Sequence, residues 1–374
     1  MRSAMDEETF MKFYKNTVLG YSNTLQRHIC RLLEKEHLIT FEQQRHILDT
    51  DEVLYFERRQ DINNIIYRTT MEPRFINFYE NWEFIKLYKY SVPLFYELPE
   101  NLSLEEILQQ KGFVCFNNKE RFEPEYILNT DLKDVRPTYL IQGKRVFLKF
   151  VLQKSYVTPE MFEMIDYRYP IIIYFDIENK VLEIRYDATK YRYSSSTQTG
   201  MYEKIVNDCI EWLKKELILE LYDCDHMDII KVVNDKEDDK IKMFKQMMNM
   251  SSGGAAELTA SQSEDYVLPF IGELRELIDE NEELFNQSEE IKELLTQYLD
   301  DKEATASYPY IYIKRVKAVE TESYVVKVTF DYLNRKYTLL QHNIGDCKDL
   351  GMERMNDVIE YLCKNRAFIK GERI

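Results

Sequence analysis

Hydrophobic positions recur at three- and four-residue spacing from Glu7 to Lys35, at Phe10, Phe13, Tyr14, Val18, Tyr21, Leu25, Ile29, Leu32 and Leu33. That period predicts amphipathic helix with a break at Gly20, and the stripe reads as core or subunit contact. From Phe41 to Leu98 the pattern stays mostly helical and rich in aromatic side chains, with Pro73, Pro93 and Pro99 as boundaries. Ser103-Leu104-Glu105-Glu106 has capping-box spacing. The serine oxygen can take the third residue's amide while the glutamate reaches back, so a short helix ending near Gly112 is expected.

The period changes to two near Pro137. Tyr139 to Ile141 and Arg145 to Leu152 read as strands flanking a hairpin signal, Gln142-Gly143-Lys144, and Thr158-Pro159-Glu160 starts a brief helical turn. Two more strands, Pro170 to Phe175 and Val181 to Tyr186, are joined at Asp176-Ile177-Glu178-Asn179-Lys180, where Asn179 suits a left-handed turn position. In the second of them Leu182, Ile184 and Tyr186 point one way and Glu183 and Arg185 the other. One sheet face is therefore expected to be wet. The other should pack on a helix that begins near Met201 and presents Ile205, Cys209, Trp212, Leu213 and Leu217.

Cys224 to Asp239 is acidic, and Met247 to Ser263, which contains Ser251-Ser252-Gly253-Gly254, reads as a flexible linker or mobile loop. Two helices follow, from about Glu264 to Asn281 and from Ser288 to Leu299. They carry Leu274, Leu277, Ile278, Ile291, Leu294, Leu295 and Tyr298 on one side and dense acidic residues on the other. The acidic side is expected to face solvent, with a partner-docking surface as the alternative. Strands at Tyr310 to Val319, Tyr324 to Phe330 and Lys336 to Gln341 lead into a helix from Met352 to Asn365, with Met355, Val358, Ile359 and Leu362 turned inward.

Three matches in the same order suggest an internal repeat. Phe175-Asp176-Ile177-Glu178-Asn179-Lys180 resembles Phe330-Asp331-Tyr332-Leu333-Asn334-Arg335, and Gly200-Met201 is matched by Gly351-Met352. The helix Asn207 to Lys215 then aligns with Asn356 to Lys364 at six identities in nine. The expected fold is α+β: a helical N-terminal region, then two similar antiparallel strand-strand-strand-helix units, the second after a helical insert. The corresponding boundaries are residues 1–136, 137–245, 246–306 and 307–374.

A chain of 374 residues with 44% hydrophobic and 31% charged content is large enough for two or three domains with real cores. No run is apolar enough for a membrane helix and Met1 to Glu8 has no signal-peptide stretch, so no membrane association and a cytoplasmic location are expected. The six cysteines lack a CxxC pair and read as buried thiols in a reducing compartment. A net charge of −16 repels nucleic acid from most of the surface and leaves room only for a local basic patch.

There is no GxxxxGK[ST], GxGxxG or HExxH, and with ten glycines no loop can bring several amides onto a triphosphate. The five histidines stand apart, with no nucleophile motif beside any of them. Asp176 and Glu183 on adjacent strands form the weak catalytic candidate, since a carboxylate pair can hold Mg²⁺ for phosphodiester hydrolysis. Arg185 stands where nucleases of the PD-(D/E)xK type carry lysine, and a guanidinium cannot serve as the base. The bland reading makes Asp176 a turn residue and Glu183 with Arg185 a solvated cross-strand pair. Asp223, Cys224, Asp225, His226 and Asp228 form an acidic loop without calcium-loop spacing. The binding candidate is the loop containing Lys190, Tyr191, Arg192 and Tyr193, which ends in Thr199 and Gly200 at a helix start. Cations, stacking rings and free amides would there favour a phosphate or a base.

These readings lead to two expectations. The first is a non-enzymatic interaction or sensor subunit of a multi-protein assembly, with a protein partner or self-association and no cofactor. The alternative is a nucleic-acid or nucleotide-binding protein, including a divergent Mg²⁺-dependent nuclease, of host-defence or mobile-element type.

Overall fold

The computed structural model describes residues 5–41, 53–57, 60–99, 102–116, 128–157, 162–188, 198–223, 226, 229, 241–249, 255–259, 274, 277–305, 307–316, 323–332, 337–342 and 351–370. The architecture is α+β, and the chain divides into two compact units, Met1–Tyr222 with Leu350–Arg354 and Asp223–Asp349 with Met355–Ile374. Among the described residues no helix is long and apolar enough to cross a membrane.

The first unit opens with α1 (Glu7–Leu19) and α2 (Asn23–Lys35), and Gly20 caps the end of α1. Asp6 and Ser22 accept hydrogen bonds from the amides of Thr9 and Leu25, which occupies one free donor at each helix start. A two-stranded parallel pair, β1 (Ile39–Thr40) and β2 (Leu54–Tyr55), precedes α3 (Ile62–Thr70) and α4 (Ile76–Ile85). The region expected to be mostly helical up to Leu98 then turns to strand, β3 (Tyr90–Glu97). Pro93 marked a helix boundary in the sequence, but Val92, Leu94 and Tyr96 are buried at alternate positions and the run pairs with a later strand, a partner that local pattern does not reveal. Helix α5 (Leu104–Gln110) carries both bonds of the capping box, and Gly112 follows at φ +65°.

Then come β4 (Val114–Cys115), β5 (Thr138–Gln142), β6 (Arg145–Val157), β7 (Met164–Asp176), β8 (Val181–Tyr186), α6 (Gln198–Glu216) and β9 (Glu220–Asp223). The sheet order is β3-β8-β7-β6-β5-β4, with β9 beside β3. The β3-β8, β8-β7, β7-β6 and β6-β5 pairs are antiparallel, while β4 and β5 run parallel. Strands β6 and β7 pair without interruption from Arg145 opposite Asp176 to Val157 opposite Met164, further than expected. Gly143 sits at φ +62° in the β5-β6 hairpin. The Thr158-Pro159-Glu160 turn lies outside the described residues.

Helix α6 covers one face of this sheet, where Phe150 meets the Trp212 ring edge-on at 4.8 Å and Tyr186 meets Tyr202 at 5.5 Å. Helices α1 and α4 lie on the opposite face. The Thr17 hydroxyl accepts the Arg168 amide at 2.8 Å, and side chains of α4 reach Lys149 and Arg168. Both faces are therefore covered. The expected wet face is buried, with Glu183 at 0% and Arg185 at 1% exposure.

The second unit contains β10 (Ile241–Asn249), β11 (Ala255–Thr259), α7 (Glu282–Phe285), α8 (Glu289–Thr305), β12 (Ser307–Arg315), β13 (Tyr324–Tyr332), β14 (Tyr337–His342) and α9 (Glu353–Lys370), whose body from Met355 belongs to it. Its strands run in the order β11-β10-β12-β13-β14 and are antiparallel throughout. The stretch read as a linker from Met247 thus holds the end of β10 and all of β11, whose small and polar residues disguised it; Ser251 to Gly254 lie outside the described residues. One face of this sheet holds the core, Ile241, Met243, Ile311, Ile313, Val326, Val328, Phe330 and Leu340, against Leu362, Val358 and Tyr361 of α9. Met248 on the same face packs with Ile278 and Leu299.

Candidate functional site

Asp176 closes β7, and its carboxylate organises the following turn. Oδ1 accepts the amides of Glu178 and Asn179, both at 3.0 Å, and Oδ2 accepts the Asn179 side-chain amide at 2.7 Å. The left-handed position expected for Asn179 falls one residue later, on Lys180 at φ +50°, because Asn179 spends its side chain on Asp176. Glu183 accepts from the Ser91 hydroxyl at 2.7 Å and from Arg185 Nε at 3.1 Å. Arg185 lies over the Tyr174 ring, 4.0 Å from its centre. The expected solvated cross-strand pair is instead a buried pair along one strand. A charged side chain so placed must find its counter-charge and donors locally, and these two find each other.

Lys190, Tyr191, Arg192 and Tyr193 lie outside the described residues. Thr199 and Gly200 stand in the first turn of α6. Of the acidic loop, His226 is buried at 2% exposure with Nδ1 3.1 Å from the Thr338 hydroxyl, while Cys224, Asp225 and Asp228 lie outside the described residues. Among the described residues no three His, Cys, Asp or Glu side chains gather where a metal ion could be held.

Sequence reading missed a buried ionic cluster in the first unit. Glu80 and Glu83, three residues apart on α4, share one helix face and meet Lys149 of β6 and Arg168 of β7. Arg168 reaches Glu80 at 2.7 Å and Glu83 at 2.8 Å, and Lys149 lies 3.3 Å from Glu83 and also holds Glu80. The Tyr14 hydroxyl donates to Glu80, and its ring lies 3.9 Å beneath the Arg168 guanidinium. Burial alone would push the Glu83 carboxyl up, but Arg168 and then Lys149 outweigh it and hold its pKa below the usual 4.5. Two carboxylates oppose two cations, so the cluster is internally neutral and fixes α4 on the sheet. Nearby, Lys86 is fully buried beside Asp187, with its ammonium 3.6 Å from the centre of the Tyr88 ring. Burial pulls its pKa down, partly offset by Asp187.

The second unit offers two surfaces of opposite character. On α8, Ile291, Leu294 and Tyr298 follow each other at three- and four-residue spacing and are 51%, 68% and 50% exposed. They were expected on the packed side of the helix. Packing goes instead through Leu295 and Leu299, one position round the helix, onto Met248 and Ile278. Leu277 and Leu284 are likewise exposed, and around these side chains stand the exposed Asp279, Glu280, Glu282, Glu283, Glu289, Glu290 and Glu293. The other surface is the sheet face turned away from the core, which carries Lys242, Lys245, Tyr310, Tyr312, Lys314 and Lys327.

Comparison with protein-family models and with curated proteins finds no match to this chain.

Proposed function

We propose that the chain is a binding subunit that engages a protein partner through α8, the partner contributing a basic amphipathic segment. One observation carries this reading: a helix with its inner side already packed leaves Ile291 and Leu294, with half of Tyr298, exposed at the spacing of a single stripe. Such a stripe is the pattern an amphipathic partner helix reads. The carboxylates around it choose the partner. Among the described side chains, seven exposed acidic residues against one lysine, Lys292, which is 3.2 Å from Glu282, favour a cationic segment and oppose a second copy of the same surface.

Covering a Leu294 side chain that is 68% exposed contributes about 1–2 kcal/mol at the usual transfer value. Leu294→Asp should therefore weaken the complex by roughly ten-fold or more. The test is fluorescence anisotropy of a labelled Lys/Leu amphipathic 18-residue peptide with the full chain, and light scattering of the chain alone. Saturable binding that weakens with salt and with Leu294→Asp supports the reading. Binding unaffected by that substitution sinks it, as does a dimer that Ile291→Asp converts to monomer.

The same reading takes the two sheet-helix regions as copies of one building block. In its support, β6-β7-β8 and β12-β13-β14 are both antiparallel meanders that precede a helix. The helix covers the face carrying Ile173 and Phe175 in one and Val328 and Phe330 in the other, positions that correspond in the repeat.

A further inference from the structure

We infer that the outward face of the second unit's sheet binds single-stranded nucleic acid, with Lys242, Lys245, Lys314 and Lys327 on phosphates and Tyr310 and Tyr312 against bases.

The strand registers put these residues together. Lys245, Tyr312, Lys327 and Gln341 form one row across β10, β12, β13 and β14, and Met247, Tyr310, Thr329 and Leu339 form the next. Lys242, Lys314 and Val325 form a third row on the same face. Lys242 and Lys245 are three residues apart and would ordinarily point to opposite faces. A register shift between Met243 and Lys245 turns both outward while Met243 stays in the core. Bulges re-aim side chains in this way where a surface has a task.

Charge selects an anion. Among the described residues, four lysines share the face with one carboxylate, Glu257, which pairs with Lys245 and accepts the Tyr310 hydroxyl at 2.6 Å. Among the described residues, Lys242, Lys314 and Lys327 have no acidic group within ion-pair distance. A local excess of three positive charges therefore stands on a chain whose total is −16. Lys327 is the most telling of the four. Its ammonium lies 3.6 Å from the centre of the Tyr310 ring and 5.6 Å from that of Tyr312, and partial burial pulls its pKa below the usual 10.5. A phosphate would give the ammonium a charged acceptor in place of the water it has lost and would draw it off the ring, exposing a π-face.

The aromatic component distinguishes the ligand from a bare polyanion. Tyr310 and Tyr312 project from the same side of one strand, with ring centres 5.9 Å apart and planes at 83°, both half-buried. Bases stack on rings so presented only when they are unpaired, because in a duplex their faces already stack on one another. An acidic protein segment would use the lysines and leave the rings idle.

The experiment is fluorescence anisotropy of the full chain with a labelled 15-nucleotide oligothymidylate, the matching oligouridylate, a 15-base-pair duplex and polyglutamate, at 50 and 200 mM salt. Expected are saturable binding of the single strands, weakening at the higher salt, and at least five-fold weaker binding of the duplex and polyglutamate. Tyr312→Ala should lose roughly 5- to 100-fold. Lys314→Glu with Lys327→Glu should lose more than ten-fold while circular dichroism is unchanged; if that pair fails to fold, Lys242→Glu with Lys314→Glu serves, with the exposed Lys242 in place of the half-buried Lys327. The inference is overturned by absent binding at 100 μM and 50 mM salt, or by equal affinity for duplex or polyglutamate. It is equally overturned if binding survives these variants and is lost in Lys190→Ala with Arg192→Ala, which would place the contact on the loop before α6.

Discussion

Replacing Glu83 by leucine would leave Lys149 and Arg168, each 2% exposed, facing a single carboxylate, Glu80. The change removes contacts of 2.8 and 3.3 Å to the guanidinium and of 3.3 Å to the ammonium, and it strands one positive charge inside the first unit. Breaking a buried pair from one side costs about 3–5 kcal/mol. For a unit of this size each kcal/mol moves the midpoint by roughly 2–4 °C, so a drop of roughly 6–20 °C is expected. Both tryptophans of the chain, Trp82 and Trp212, lie in this unit, so selectively excited tryptophan fluorescence follows its melting. Adding Arg168→Met to Glu83→Leu removes one charge of each sign and leaves Glu80 with Lys149, so the double variant should recover at least half of the loss. The pH profile checks the sign. Glu83 has a folded pKa held below 4.5, so its contribution is complete above that value and is lost as the pH falls through the folded pKa. The parent should therefore lose stability faster than Glu83→Gln as the pH falls below 4.5. A Glu83→Leu midpoint within about 2 °C of the parent, or a double variant that loses the sum of its singles, refutes the reasoning.

Lys180 holds a left-handed conformation at φ +50° on an exposed turn, so Lys180→Gly should raise stability by up to ~1 kcal/mol, since relief of the Cβ clash exceeds the added chain entropy. A urea midpoint lowered by this substitution would show that the turn depends on the lysine side chain. Cys30, Cys209 and Cys363 are buried, and burial pushes the Cys30 thiol up to about 11 and Cys209 higher still. A disulfide reagent at pH 8 should leave these three untouched until the chain unfolds, and mass-mapped labelling of Cys209 in native buffer would contradict the packing of α6.

Local chemistry was legible where a few adjacent residues decide the outcome. The Ser103 capping box, the Gly143 hairpin and the Gly20 helix end are settled by bonds within a handful of positions. Strand β3 was not, because Tyr90 to Glu97 owes its extended form to β8, some ninety residues away along the chain. Its aromatic side chains fit a helix face as well as a pleat. The turn after β7 shows the same limit on a smaller scale: Asn179 has the right propensity for a left-handed angle, and the demand of Asp176 for donors moved that angle to Lys180.

Periodicity reports that a segment has two unlike sides, and it is silent about which side a neighbour will cover. Glu183 and Arg185 alternate with Leu182 and Ile184 and so look wet, yet α1 and α4 lie over that face of the sheet, and α4 brings the glutamates that match Lys149 and Arg168. The converse error occurs on α8, where Ile291, Leu294 and Tyr298 look like core because they are apolar at helical spacing. Leu295 and Leu299 already fill the contact with Met248 and Ile278, so the stripe beside them stays half or more exposed. Both errors have one physical origin. A buried charge is tolerable only if a second element supplies its counter-charge, and an exposed apolar stripe persists only if a second molecule uses it or the chain bears the cost. Counter-charges three helical positions apart, as at Glu80 and Glu83 in an otherwise uncharged helix, are thus the sequence signal for a covered polar sheet face. Two adjacent apolar stripes on one acidic helix are the pattern on which the proposed partner contact rests.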